Sequence, residues 1–447
     1  MKIVVIGAVA AGTSAAAKAR RNDDKAKIVI YEKDEYISYS GCGIPYFLGN
    51  KVDDINKLTP RDSKFFKAKY NIDVKIKHEV LSIDPKNKRI EVKNIITKEI
   101  FQDTYDKLVI STGAKAFIPD IIGNDRKQVF KLRNIIDAIK IKKFIDFYSP
   151  KDIIIVGSGF IGCELLENLF EEDNEIKMLE LMDRINPVLD PDMSDYLQKL
   201  LESKELDIKP ATIIKEITDR TVVLDNGEIL EADLVILATG VRPNTKLAMD
   251  AGIKVGDFGG IIVDKKMQTN IPDIYACGDC IETYSSITGK PNYRPLGTTA
   301  NKTGLIAGDS LTGGNLEYQG NLGTSIFKLF DLTIASTGLS EKEAKENGYN
   351  YFSELIRTRD KASYFDAEEM LIKAIADKVT GQLLGVQIIG KSGVDKRIDV
   401  FATLITYKAK VEELFHLDLA YAPPFSTAKD PIHYTGMVLT KKFHKKK

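Results

Sequence analysis

Cysteine is scarce in this chain, with only Cys42, Cys163, Cys277 and Cys280 among 447 residues. So few thiols in so long a chain exclude a disulfide-stapled secreted scaffold and point to a reducing compartment, with the cytoplasm as the expected location. Histidine is equally sparse, and His78, His416, His433 and His444 lack the spacing of a metal centre, so no metal is expected. Net charge is missing as well: 64 basic side chains balance 64 acidic ones. That balance excludes nucleic-acid binding driven by a bulk field and leaves room only for local basic patches. Beyond the N-terminus no uninterrupted apolar stretch reaches about 18 residues, so no membrane span is expected. Low-complexity linkers are also absent, which predicts closely packed domains, roughly three for this length.

What is present begins at the first residues. The apolar stretch Ile3 to Ala17 has the look of a signal peptide, but a second reading accounts for more of it. Lys2 to Ile6 fits a buried parallel strand, Gly7 and Gly12 fit a phosphate-binding turn, and a helix follows from about Ala11 to Arg21. A second strand, Lys27 to Tyr31, ends in Glu32. About 150 residues later the unit recurs. Lys151 to Val156 leads into Gly157-Ser158-Gly159-Phe160-Ile161-Gly162, a helix to about Glu172, and a strand Glu175 to Leu179 ending at Glu180. One glycine turn is a weak signal; two complete strand–turn–helix–strand–acid units predict two dinucleotide sites. Asp106 to Ile110 before Thr112-Gly113, and Asp233 to Leu237 before Gly240, read as strands ending at cofactor-facing turns. The segment Thr269 to Asp279 reads as a strand closing on Gly278-Asp279, and Pro295 to Asn301, with Thr298 and Ala300, opens a helix. From about Thr324 strands (Ser325 to Leu329, Leu383 to Ile389) mix with helices (Ser340 to Asn347, Val394 to Tyr407), an α+β pattern with no phosphate turn. The tail Lys441 to Lys447 reads as a frayed, solvated terminus.

The first turn carries Val9 where GxGxxG has its middle glycine, followed by Ala10, yet a pyrophosphate still fits the helix N-terminus. Glu32 stands where a ribose hydroxyl pair would be bound. In the second turn all three glycines are present, and a carboxylate at Glu180 favours NADH over NADPH, with Arg184 keeping NADPH as the alternative. Cys42 lies in Ser38-Tyr39-Ser40-Gly41-Cys42-Gly43-Ile44-Pro45-Tyr46, where small neighbours admit a flavin ring. A helix starting after Gly43 is expected to lower its thiol pKa. Five residues on stands Phe47, so no CxxxxC disulfide can form there, and Cys42 would cycle alone as a mixed disulfide, persulfide or sulfenic acid. Cys277 and Cys280 form a C-x-x-C, but Gly278-Asp279 between them reads as a flavin-contact segment, with Asp279 aimed at the ribityl or pyrophosphate. Core packing is therefore favoured for both cysteines, as it is for Cys163.

These motifs together resemble the single-cysteine branch of the flavoprotein disulfide reductases, most closely the coenzyme A disulfide reductases, over essentially the whole chain. The carrying residues are Gly7 to Gly12, Glu32, Ser38 to Tyr46, Gly157 to Gly162, Glu180, Ala238 to Asn244, Tyr275 to Asp279 and Ala420 to Ser426. The resemblance implies an α/β protein with two Rossmann-like dinucleotide-binding domains and a C-terminal α+β dimerisation domain. FAD would be held by 1–115 and 241–323, NAD(P)H by 116–240, and a homodimer formed through 324–447. It also implies Glu164 near the nicotinamide, and Tyr421 and Tyr364 reaching the substrate sulfur from the partner subunit. A phenol of pKa about 10 could protonate a departing thiolate. The phosphates of coenzyme A would need local cations. Lys18, Arg20 and Arg21, with Arg61, Lys64 and Lys67, are the candidates beside Ser38.

Two residues depart from the family. Relatives that reduce oxygen or peroxide carry a histidine in the first turn, where Ala10 stands, which weighs against an NADH oxidase or peroxidase. Gly41 stands where some coenzyme A disulfide reductases have asparagine, which leaves coenzyme A persulfide or polysulfide open as acceptor. Sulfur relay inside one chain is not expected. A flavin-bearing redox sensor without turnover is the alternative from another class.

Overall fold

The structure, a computed structural model, describes residues 1–171 and 173–445. Three five-stranded sheets organise it. The first is all parallel, in the spatial order Ile274–Ala276, Lys107–Ile110, Lys2–Ile6, Lys27–Tyr31, Asp73–Lys75. Ile3, Val4 and Val5 are wholly buried, as expected of a β-branched strand covered on both faces. The first residues are therefore the middle of a sheet and not a signal peptide. The alanines that follow have a packing role. Helix Ala10–Asn22 lies against helix Gly297–Ser310 so closely that side chains at Gly304 and Gly308 would run into the backbone carbonyls of Ala11 and Ala15.

The second sheet is also all parallel, in the order Asp207–Lys209, Glu175–Leu179, Asp152–Val156, Leu234–Leu237, Val129–Lys131. A two-stranded crossing, Ala114–Ala116 against Val241–Pro243, joins it to the first. The chain thus leaves the first sheet after Ile110 and returns to it at Ile274. Two small antiparallel sheets, spanning 78–104 and 214–231, were not anticipated; their short strands alternate too weakly to stand out.

The third sheet, of strands between Ser325 and Gly390, is antiparallel throughout. Helix Val394–Thr406 covers it and buries Arg397, which is 1% exposed against Asp430 at 2.8 Å. Arg397 also donates to Asp360 O and Ser426 Oγ, tethering the loop that carries Tyr421. The basic tail differs from expectation: helix Pro431–Lys445 continues through it, because Leu439 and Phe443 are buried and Lys442 pairs with Glu354. Lys446 and Lys447 lie outside the described residues. The helix after the second turn spans Phe160–Leu169, short of the expected end at Glu172, which also lies outside them.

Candidate active site

The first turn follows directly from the strand Lys2–Ile6. Gly7 has φ +101°, and a Cβ on Gly12 would collide with the Gly7 carbonyl, so the strand can pass into the helix only with glycine at both places. Val9 is the N-cap residue and makes no side-chain cap bond, which leaves the first N–H groups of helix Ala10–Asn22 unclaimed by a side chain. Buried Glu32 accepts from Ala8 N (2.8 Å) and Asp34 N (2.9 Å), and its desolvation raises the carboxyl pKa above the ordinary range. Ser38, at φ +47°, donates its N–H to the Ala8 carbonyl. Gly278 comes from the far edge of the same sheet, packed so that a Cβ would lie 2.7 Å from that of Ala11.

The second turn repeats the geometry. Gly157 has φ +105°, Gly162 abuts the Gly157 carbonyl, and Gly159, the N-cap, faces open space. Ile161 is half-buried in the first turn of the helix. Glu180 accepts from Ser158 N (2.8 Å) and Ser158 Oγ (2.6 Å) with one oxygen and from Met182 N (2.9 Å) with the other. Arg184 is turned aside in a fork on Asp183. Near the crossing, Thr112 Oγ1 donates to Asn244 O at 2.7 Å, while Gly113 and Gly240, both at positive φ, face open space. Ala300 is buried and Thr298 exposed on helix Gly297–Ser310.

Cys42 is exposed within a 3₁₀ turn, Gly41–Gly43, ahead of a five-residue helix, Ile44–Leu48. The expected lowering of its thiol pKa is not what the structure produces. Crowding by protein atoms raises it, the Glu164 and Asp279 carboxylates raise it further, and the Arg133 charge opposes them. A single short helical turn cannot outweigh desolvation and two carboxylates. Glu164, half-buried, is itself pushed up to about 7 by burial and by Glu167.

Sequence reasoning missed Arg133. Its Nε donates to Ala114 O (2.9 Å) and its other end to Asp279 (2.7 Å), whose backbone oxygen accepts from the Tyr293 hydroxyl (2.8 Å). No motif surrounds Arg133, so only a signal pairing it with Asp279 across 146 positions could have found it. Cys277, Cys280 and Cys163 are free and buried in the core; Cys163 Sγ donates to the Ser158 carbonyl and Cys280 Sγ lies against the Ile110 and Cys277 carbonyls, so all three pack as expected.

The basic face needs correction at Arg20. All five of its N–H donors go to the carbonyls of Tyr70, Asp23, Asp24, Ala26 and Asn71, closing the loop after the first helix, so none is left for a phosphate. Lys18 pairs with Asp309 and Lys67 with Asp73. Arg21 and Arg61 remain exposed, Arg61 lying over the Phe65 ring. Tyr364 and Tyr421 are 72% and 54% exposed. Their segments are neighbours, since Ala362 N donates to Pro423 O.

Among the described residues no cluster could hold a metal ion, and no helix is long and apolar enough to cross a membrane. The donor set fits two dinucleotides: two helix N-termini without side-chain caps, each beside a buried carboxylate held by backbone N–H groups, with open space at Gly113, Gly159 and Gly240. Residues 1–300 match the family model for pyridine nucleotide-disulphide oxidoreductases, and residues 324–431 match the dimerisation domain of those proteins. The chain belongs to this family and is an FAD-dependent oxidoreductase that uses NAD(P)H.

Three similar proteins illustrate its range. Over 437 residues the chain is 34% identical to a coenzyme A disulfide reductase of Staphylococcus haemolyticus, covering 97% of this chain and 98% of that one. It is 35% identical over 454 residues to an NADH oxidase of Methanocaldococcus jannaschii, covering all of both. A solved NAD-dependent persulfide reductase from A. fulgidus superposes with a TM-score of 0.96 at 37% identity, over 100% of this chain and 84% of that one.

Proposed function

We propose that this protein is a homodimer that reduces coenzyme A disulfide, or a coenzyme A persulfide or polysulfide, with NADH through Cys42. The observation that carries this reading is a single exposed cysteine, Cys42, with Phe47 rather than a second thiol five residues on, and with the other three cysteines buried as free thiols. A lone accessible thiol can accept electrons only by bonding to something from outside the chain.

FAD, when bound, takes two electrons from the reduced nicotinamide and makes them available on the cysteine side. The chain supplies position. Gly7, Val9, Ala10 and Gly12 with Glu32, Thr112, Gly113, Gly278, Asp279, Thr298 and Ala300 would hold FAD. Gly157, Gly159, Ile161, Gly162 and Gly240 with Glu180 would hold NADH, and Glu164 would flank the nicotinamide. Glu180 favours NADH, since a 2′-phosphate would meet its carboxylate. Arg21, Arg61 and Ser38 would receive the phosphate-bearing thiol.

The Cys42 thiolate attacks one sulfur of the disulfide, forms a mixed disulfide and expels the first thiolate. Tyr421, with Tyr364 in the neighbouring segment, would protonate that leaving group from the partner subunit. Two electrons then cleave the mixed disulfide, regenerating the Cys42 thiolate and freeing the second thiol. The sum is one disulfide, one NADH and one proton giving two thiols and NAD⁺.

Intact mass of the denatured enzyme before and after reductant tests the reading. A reductant-labile adduct of the mass of coenzyme A is expected on Cys42. Addition of one or two oxygens instead, with oxygen uptake outpacing disulfide reduction, would establish the sulfenic-acid oxidase.

A further inference from the structure

A buried lysine lies where the third sheet meets the second nucleotide unit. Lys373, on strand Glu369–Asp377, is 3% exposed, and its ammonium faces Asp192 at 2.7 Å, Glu341 at 3.2 Å and Asp190 at 3.7 Å. Asp190 is 2% exposed. Its carboxylate accepts from the Gln387 side-chain amide (2.9 Å) and from Glu341 N (3.0 Å), while its own N–H donates to the Gln387 side-chain oxygen (2.9 Å). Lys373 and Gln387 are register partners on adjacent strands, so one small patch of the third sheet grips Asp190 from several sides. Apolar packing would join the two units at less desolvation cost than burying this many charges. What a charged, hydrogen-bonded grip adds is a defined orientation.

That orientation reaches the nucleotide site through an unbroken run of bonds. Leu189 N donates to Asn186 O (2.9 Å), and Ser194 Oγ holds the neighbouring Ile185 carbonyl (2.5 Å). Asn186, at φ +44°, donates its N–H to Ser158 Oγ (2.8 Å). Ser158 Oγ in turn donates to the Glu180 carboxylate at 2.6 Å. The hydroxyl that orients Glu180 is thus itself oriented by the segment that Lys373 and Gln387 hold.

We infer that Lys373 and Gln387 are positioning residues for the dinucleotide: from the third sheet they hold the 185–190 segment and, through Asn186 and Ser158, the direction of the Glu180 carboxylate. The inference rests on Glu180 being the ribose acceptor. Loss of either residue loosens that carboxylate, which weakens NADH binding and its discrimination from NADPH. It does not slow electron transfer once NADH is bound.

The test uses the FAD-loaded enzyme without any acceptor, mixed anaerobically with NADH or NADPH at varied concentration while flavin absorbance is followed. For Lys373→Met and Gln387→Leu, the apparent Kd for NADH is expected to rise five-fold or more, with the limiting rate within two-fold of the parent. The NADH over NADPH preference should fall by a similar factor. A merely structural role would lower the unfolding midpoint without moving that preference. Should Lys373→Met not fold, Gln387→Leu and Asp192→Asn carry the same test. An unchanged NADH Kd and preference in the folded variants would overturn the positioning role while Glu180→Gln weakens NADH. An unchanged Kd in Glu180→Gln itself would overturn the ribose reading on which the role depends.

Discussion

The Arg133 guanidinium lies 2.7 Å from the Asp279 carboxylate, with side chains 31% and 16% exposed, and its charge opposes the two carboxylates that raise the Cys42 thiol. One pair thus bears on the Asp279 carboxylate and on the Cys42 sulfur together. In Arg133→Gln, Asp279 loses its partner and Cys42 its compensating charge. Hydrogen bonds to charged groups contribute about 1.5–3 kcal/mol, reduced here to about 1 kcal/mol by partial exposure. FAD retention is expected to fall about five-fold, read from flavin released on dilution, and Cys42 alkylation at pH 7 to slow.

Glu164 pushes in the opposite direction. Burial and Glu167 hold its carboxyl up to about 7, against an ordinary value of 4.5, and its charge raises the Cys42 thiol. Glu164→Gln is expected to speed Cys42 alkylation by about two- to three-fold at pH 8, where the parent carboxylate is ionised. The stability effect has a definite sign. Because the folded state keeps this proton to higher pH than the unfolded chain, the associated stabilisation is present in full at low pH. It is lost as pH rises from about 4.5 through about 7. Unfolding midpoints at pH 5 and pH 8 should therefore show the parent losing more stability over that interval than Glu164→Gln; equal losses would refute the assignment.

Cys42→Ser is expected to retain FAD and its reduction by NADH, while coenzyme A disulfide turnover falls to background. Persistent turnover would remove Cys42 from the chemistry, since the other three thiols are buried.

The helix pair behind the first phosphate turn offers a packing test. Gly308→Val would drive a branched side chain into the Ala15 backbone, for a loss of about 1–3 kcal/mol or more, with weaker FAD binding because the strained helix carries the turn. Two residues away, Ser310 buries a hydroxyl with no hydrogen-bond partner, so Ser310→Ala should be neutral or slightly stabilising. Denaturant titration of both variants checks the contrast.

Much of the architecture was legible because its determinants are local. Strands Lys2–Ile6, Lys27–Tyr31 and Glu175–Leu179 are legible to the residue from apolar runs ending at glycine or acid, and Ser325–Leu329 from its apolar alternation. The small sheets between 78 and 104 and between 214 and 231 escaped because their strands half-face solvent and alternate irregularly. The tail was misread as frayed because its lysines mask the buried spacing of Leu439 and Phe443.

By itself the sequence determined two dinucleotide units, each an apolar strand, a glycine turn and an acid, and a lone cysteine between glycines with no CxxxxC partner, because each is written within about 30 consecutive residues. Only the tertiary structure decided how charge is distributed around them. It withdrew Arg20 onto five carbonyls, brought Arg133 to Asp279, raised the Cys42 thiol instead of lowering it, and set Lys373 behind the segment that orients Glu180. The physical reason is range: a turn is a property of neighbouring backbone, whereas an ion pair or a desolvated thiol depends on residues that meet only after the chain has folded.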